Sequence, residues 1–396
     1  MKHLQTFTVL SFLIFSMGSC QKESKTLATE EINATNLTKN LSSNSNEDAA
    51  RNAGSKHVYT LTNQVSGNAV MDYNRSSDGM LTFNASYATG GTGTGGGLGN
   101  QDAIILSGGE DDEDDNTLLA VNPGSNSISS FKINSNGLQL KSTVSSGGMR
   151  PVSIAQHNDI VYVLNAGGAG NISGFTLKDN RLMPILNSTR PLSTTAAGAA
   201  QVAFVNDGSV LVVTEKATNK IITYTISASG NPGIMHSITS ANPTPFGFAT
   251  GKHGNIFVSE AAGGAPGAST VSSYHVSNNG VISLITGPIG ANQSAACWVV
   301  ITQNGKYAYT TNTASNNIST YNVNVNNGGV TLNTAIASTT GAGPIDAALN
   351  NNSKYLYILN AGSHTIGVYG VANNGGLNLV QTVSGVPIGA TGLAAR

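Results

Sequence analysis

A short apolar strand ending on a polar residue recurs seven times in this chain. The copies are VYTLTN (58–63), LLAVN (118–122), VYVLN (161–165), VLVVTE (210–215), IFVSE (256–260), YAYTTN (307–312) and YLYILN (355–360). After a short Gly/Ser/Asn/Thr segment, each leads into a partner strand of shared shape: ISSFKI (128–133), ISGFTL (172–177), IITYTI (221–226), VSSYHV (271–276), ISTYNV (318–323) and IGVYGV (366–371), with NAVMDY (68–73) the loosest member. Turns such as NSNGL, SNNGV and ANNGG follow. Asn and Gly tolerate positive φ, so these read as hairpins into a last, more polar strand. One more apolar strand precedes each pair, at AIIL (103–106), VSIA (152–155), QVAF (201–204), FGFA (246–249), WVVI (298–301) and IDAAL (345–349). Four short antiparallel strands therefore repeat about every 49 residues over 57–396, the pattern of an all-β, seven-bladed propeller. Helical periodicity is absent, which excludes a parallel α/β fold.

The ends of the chain complete the repeat. The first unit lacks a leading strand, and GATGLAAR (389–396) is a leading strand with no unit after it. Pairing the two closes the ring and removes the exposed edges that an open array would leave. No Trp-Asp or Gly-His dipeptide occurs, and Trp298 is the single tryptophan, which argues against WD-repeat and kelch blades.

A 39% hydrophobic share over this length can bury a large core, so disorder is excluded for most of the chain. A net charge of −1 removes the basic footprint of a nucleic-acid binder, and two Cys cannot build a disulfide framework or a thiolate zinc site. Residues 1–20 carry Lys2, an apolar run from Val9 to Phe15 too short to span a bilayer, and Gly18-Ser19 before Cys20. This resembles a bacterial lipoprotein signal with lipidation at Cys20, and Gln21 favours outer-membrane sorting. Residues 21–56, rich in Ser, Asn, Thr, Lys and Glu, read as a disordered tether, leaving 57–396 as the folded unit. The expected location is the bacterial cell envelope, with membrane contact through the lipid only.

LYILN (356–360), followed by TIGVY (365–369) and the Gly-Gly-Leu turn (375–377), resembles the seven-bladed lactonase family, which includes 6-phosphogluconolactonases and 3-carboxymuconate-cyclising enzymes. The resemblance covers roughly 57–396. At 199–221 the family pattern places Glu215 on the first Asp of an Asp-Leu-Gly-x-Asp-Arg motif and Lys220 on its Arg. The family His meets Ala200, with Gln201 beside it, so one general acid or base is missing.

In a propeller, second-strand ends and leading-strand starts share one face. The second-strand ends are Asn63, Asn122, Asn165, Glu215, Glu260, Asn312 and Asn360. The Asn residues suit hydrogen bonding to the next turn, and Asn165 and Asn312 are also candidate substrate contacts. Glu215 and Glu260 replace Asn in two blades. Carboxylates beside a low-dielectric channel suit proton transfer, or else pair with Lys216, Lys220 or Arg150. Arg150, ahead of Pro151, is placed to clamp a carboxylate or phosphate. Gln101, Gln201, Phe246 and Trp298 occupy leading-strand positions that could line a pocket, whereas Cys297 and Trp298 are expected to pack between blades. The sequence expectation is a lactone hydrolase or lactonising enzyme for a sugar acid. Arg150 and Glu215 would be catalytic, and Glu260, Gln101, Gln201, Lys220, Asn165 and Asn312 would bind substrate. The alternative is a non-catalytic surface module for a glycan, peptide or partner protein.

Two conspicuous segments carry no chemistry on this reading. GGTGTGGGLG (90–99) contains a formal G-x-G-x-x-G but sits between strands with no helix, so dinucleotide binding fails on context. The acidic run Glu110–Asp115 reads as a solvated loop on the opposite face, without the spacing of a calcium loop. There is no G-x-S-x-G or H-E-x-x-H, the seven His are scattered, and His157 falls in a turn on the opposite face. No cofactor or metal is expected, and the chain is expected to be a monomer.

Overall fold

A computed structural model describes residues 56–107 and 117–396. The leader with Cys20, all but the last residue of the tether, and Glu110–Asp115 lie outside the described residues. Seven sheets are arranged as the blades of a propeller, each with an inner, second, third and outer antiparallel strand. The inner strands of blades 2 to 7 are Ile104–Ser107, Met149–His157, Ala199–Val205, Pro245–Thr250, Ala296–Ile301 and Pro344–Leu349. Blade 3 departs in one respect: its outer edge is split into Arg181–Pro184 and Arg190–Pro191, both paired to the third strand.

Blade 1 is built from both ends of the chain. Thr391–Ala395 pairs with Lys56–Leu61, with Val58 opposite Ala395 and Thr60 opposite Leu393. Thr60 Oγ1 donates to Gly392 O at 2.7 Å, and Arg75 Nε donates to Arg396 O. This is the closure read from the sequence.

The repeated residues show how the blades hold together. The aromatic of each third strand (Tyr73, Phe131, Phe175, Tyr224, Tyr274, Tyr321 and Tyr369) is at most 1% exposed. Each is wedged between sheets, and full burial of one such ring contributes roughly 1.5–3 kcal/mol. Second-strand tyrosines bond the turn of the following blade: Tyr162 to Gly230 O, Tyr309 to Gly375 O, and Tyr357 to Gly79 O. Gly79, at φ +85, lies so close under Tyr355 that a Cβ would sit 2.2 Å from that ring, so only glycine fits the contact.

The face that carries the second-strand ends has its own clamp. Asn126, Asn219 and Asn316 adopt positive φ in the turn between second and third strands. Each accepts through Oδ1 a backbone N–H that leads into the next blade: Arg150 N, Thr244 N and Gly343 N, at 2.7–2.8 Å. The same Asn chemistry that suits a turn thus locks blade to blade.

Candidate functional site

Bulges at the starts of the inner strands shape the hub. In blades 1 and 3 to 7 the register slips by one residue, leaving Gly392, Val152, Ala200, Phe246–Gly247, Cys297 and Ile345 without a partner across the pair. A bulge turns a side chain out of the sheet plane. Ala200, Phe246, Cys297 and Trp298 consequently pack as one apolar cluster with Ile345 against it. Cys297 and Trp298 therefore belong to the hub, where the sequence expectation puts them between blades. Position 200, which the resemblance associates with histidine, is an apolar hub residue.

The glycine-rich segment leads into a plug. Gly95 N donates to Asn63 O and Gly124 N to Thr92 O, tying the loop to the second-strand face. The chain then enters the hub. Trp298 Nε1 donates to Asn100 O at 2.6 Å, and the Asn100 amide donates to Val152 O. Gln101 Nε2 donates to Val299 O at 2.9 Å, while its Oε1 accepts Val299 N at 3.2 Å. The Gln101 amide thus behaves as a strand partner from blade 2 to blade 6. Lys216 Nζ donates to Gly99 O and lies 4.5 Å from the Phe246 ring centroid, a cation–π contact over the apolar cluster. Glycine at Gly93 is required by close approach: a Cβ would fall 2.1 Å from Asn63 C.

Gln101 and Gln201 are buried, at 5% and 2% exposure, and their amides are committed. Gln201 Nε2 donates to Asp102 Oδ2 at 2.6 Å, and its Oε1 accepts Phe248 N. Both serve the plug and the inner strands rather than an open pocket wall.

The second-strand ends are likewise committed. Glu215 is fully buried and accepts Ser193 N at 2.9 Å, Ser193 Oγ, and Thr218 Oγ1 at 2.6 Å. Glu260, also fully buried, accepts Ser240 Oγ, Asn242 N, Thr270 Oγ1, Ser272 Oγ and Tyr274 OH at 2.6–3.1 Å. The groups holding both carboxylates are neutral, where the sequence reading looks to Lys216, Lys220 or Arg150. Lys220 sits opposite Glu215 in the strand register and is half-buried. Asn165 donates to Ser146 O and Asn171 Oδ1, and Asn312 to Asn317 Oδ1 and Ser319 Oγ. These are turn contacts within the blade edge.

Arg150 differs from the others. It is exposed, with φ +53, at the start of the blade 3 inner strand and on the same face as the second-strand ends. Its backbone N–H is fixed by Asn126, and its guanidinium is presented outward.

The hub also holds two acids absent from the site read in the sequence. Asp102 directly follows Gln101, and Asp346 stands three residues into the blade 7 inner strand, on opposite sides of the closing strand Thr391–Ala395. Asp346 is 2% exposed. It accepts Ala347 N at 2.8 Å, and its Oδ2 is buried without a hydrogen-bond partner. Burial pushes Asp102 up to about 7, opposed by the Gln201 bond. Burial, and then the nearby Asp102 charge, push Asp346 well above the usual carboxylate range. One signal was visible: IDAAL places a charge inside a short strand that is otherwise apolar.

Comparison with known proteins agrees with this architecture. Residues 268–391 match the family model of the seven-bladed β-propeller lactonases. The matched stretch runs from the third strand of blade 5 to the start of the closing strand. No curated protein matches the chain in sequence. Among solved structures, the periplasmic gluconolactonase of Pseudomonas aeruginosa superposes with a TM-score of 0.64 at 14% identity, covering 85% of this chain and 98% of that one. A Lactobacillus plantarum protein gives 0.68 at 18% identity, covering 86% and 99%. A Bacteroides fragilis protein, a candidate 6-phosphogluconolactonase, gives 0.66 at 16% identity, covering 87% and 99%. At these identities the likeness is one of fold.

Proposed function

We propose that this protein is a lactonase-like propeller that acts on a small carboxylate-bearing lactone, with the substrate approaching the face that presents Arg150. The observation that carries this reading is the lactonase family match over 268–391, on a chain whose seven blades form a complete ring. Arg150 supplies an exposed, always-charged fork for the substrate carboxylate. Glu215 and Glu260 hold their loops through the donors that surround them. Anchoring at the bacterial envelope through Cys20 belongs to the same proposal and rests on residues 1–20.

The test is a panel of aldonolactones and carboxylated lactones given to the purified protein. Turnover is expected for at least one, with Arg150→Ala raising KM about tenfold or more, since a charge-assisted bidentate contact is worth roughly 1.5–3 kcal/mol. A second reading is favoured by the plugged hub and by Ala200: the protein binds a sugar acid on the Arg150 face without transforming it. Saturable binding of an aldonate with no turnover of any lactone selects that second reading.

A further inference from the structure

The clamp that joins one blade to the next is built differently where the ring closes. In blades 2, 4 and 6 the turn after the second strand carries Asn126, Asn219 and Asn316, at φ +53, +56 and +55. These stand four positions beyond the strand ends Asn122, Glu215 and Asn312. Blade 7 repeats the turn after Asn360, and the residue at that position is His364, at φ +54. The backbone half of the clamp is kept. Ser146 N, Ser240 N and Thr340 N donate to Asn126 O, Asn219 O and Asn316 O at 2.9–3.0 Å, and Val386 N donates to His364 O at 3.2 Å. The side-chain half is not kept. Each Asn Oδ1 accepts a backbone N–H at the entry to the next blade, whereas His364 Nδ1 is buried without a hydrogen-bond partner. The chain entering the closing strand is held from blade 1 instead, by Asn63 Nδ2 on Gly389 O and Gln64 Nε2 on Ile388 O.

We propose that His364 makes the joint between blade 7 and blade 1 an acid-sensitive seam, closed while its imidazole is neutral and loosened when it is protonated. A neutral ring can carry its one proton on Nε2 and leave the buried Nδ1 bare, but an imidazolium carries a proton on both nitrogens. A charged N–H at Nδ1 would then be buried with no acceptor, which is worse than a neutral acceptor left bare. The ring escapes only by turning toward water. That movement strains the His364 turn, its bond to Val386 and the chain leading into Thr391–Ala395. No acid lies beside the ring to offset the proton: segments 341–345, 384–392 and 62–69 contain no Asp, Glu, Lys, Arg, His or Tyr. The strands running from them carry Asp346, Tyr357 and Tyr369 in blade 7, and Tyr59 and His57, the last paired with Asp72, in blade 1. Burial holds the three tyrosine hydroxyls protonated far above neutral pH. Protonation and closure oppose each other, so opening increases as pH falls through the interval where imidazole titrates, about 8 to 5. One proton limits the effect to about tenfold per pH unit. An amide does not titrate there, so the joints made by Asn126, Asn219 and Asn316 lack this dependence.

The experiment measures amide hydrogen exchange of the full chain at about pH 7.5 and pH 5.5, corrected for intrinsic rates, in the wild type, His364→Asn and His364→Phe. Asn restores the side chain of the other three turns, and Phe keeps a ring that takes no proton. Peptides 149–155, 244–250 and 343–349, the entries clamped by Asn, are the reference within each protein. In the wild type, 386–395 should match the reference at the higher pH and lose about tenfold in protection against it at the lower. In each variant that folds, the loss should stay below about twofold. Asp346, Asp102 and the His57–Asp72 pair are present in all three proteins, so an equal acid loss in wild type and variants assigns the response to them and overturns the proposal. A wild-type 386–395 that stays level with the reference at both pH values overturns it without any variant.

Discussion

Truncating Glu260 separates a structural carboxylate from a catalytic one. In Glu260→Ala the five donors that converge on the side chain lose their acceptor: Ser240, Asn242 N, Thr270, Ser272 and Tyr274. Ser272 and Tyr274 are fully buried, and the Asn242 N–H cannot rotate away. With about 1–3 kcal/mol for each donor stranded from water, and some relief from solvent entering the cavity, the loss is about 4 kcal/mol. Unfolding entropy near 2.1 cal/mol/K per residue over roughly 330 residues gives about 0.7 kcal/mol/K, so Tm should fall by about 6 °C. Glu260→Gln keeps the shape and lets the Thr270 and Ser272 hydroxyls turn to accept. Its loss should be about 1–2 kcal/mol, or about 2 °C. Scanning calorimetry of the three proteins measures both. Melting of Glu260→Ala within about 1 °C of wild type, together with lost lactone turnover, would refute the structural assignment.

Three other outcomes follow from the same contacts. Arg150→Ala should leave Tm within about 1 °C, because the guanidinium is exposed and its anchoring bond is made by the backbone N–H; a large loss of stability would show a buried role. Deleting Thr391–Arg396 removes the inner strand of blade 1 with the buried Leu393, and should give a chain that self-associates in sedimentation; a monomer with wild-type Tm would contradict the closure. Lys216→Met removes the bond to Gly99 O and should speed proteolytic cleavage within 90–99 several-fold with little change in Tm; unchanged cleavage would show that other contacts hold the loop.

Much of the ring was legible in the sequence because each blade repeats the same physical units. The apolar strands, the aromatic at the third-strand position and the Asn/Gly turns all report local requirements, and the leading strand left over at 389–396 reported the closure. The hub was less legible for a physical reason. Side-chain direction at the inner strands depends on bulges, and a bulge adds one residue without changing the apolar pattern around it. Gln101 and Gln201 stood at the right positions, but their amides serve strand edges and the plug. Glu215 and Glu260 differ visibly from Asn, yet the eight neutral hydroxyl and backbone donors that hold them come from residues 3 to 22 positions away. GGTGTGGGLG carried meaning of a different kind: its glycines permit close backbone approach rather than phosphate binding. Asp102 and Asp346 lie 244 positions apart in the numbering, and only ring closure brings them to opposite sides of one strand.

Amide hydrogen exchange tests most directly whether the two chain ends seal a hub stoppered by 98–103. Peptides covering 56–61, 391–395 and 98–103 should share the slowest exchange of the protein, opening only with global unfolding. Exchange of 98–103 at the rate of an open surface loop, or of 391–395 ahead of the other inner strands, would contradict the account.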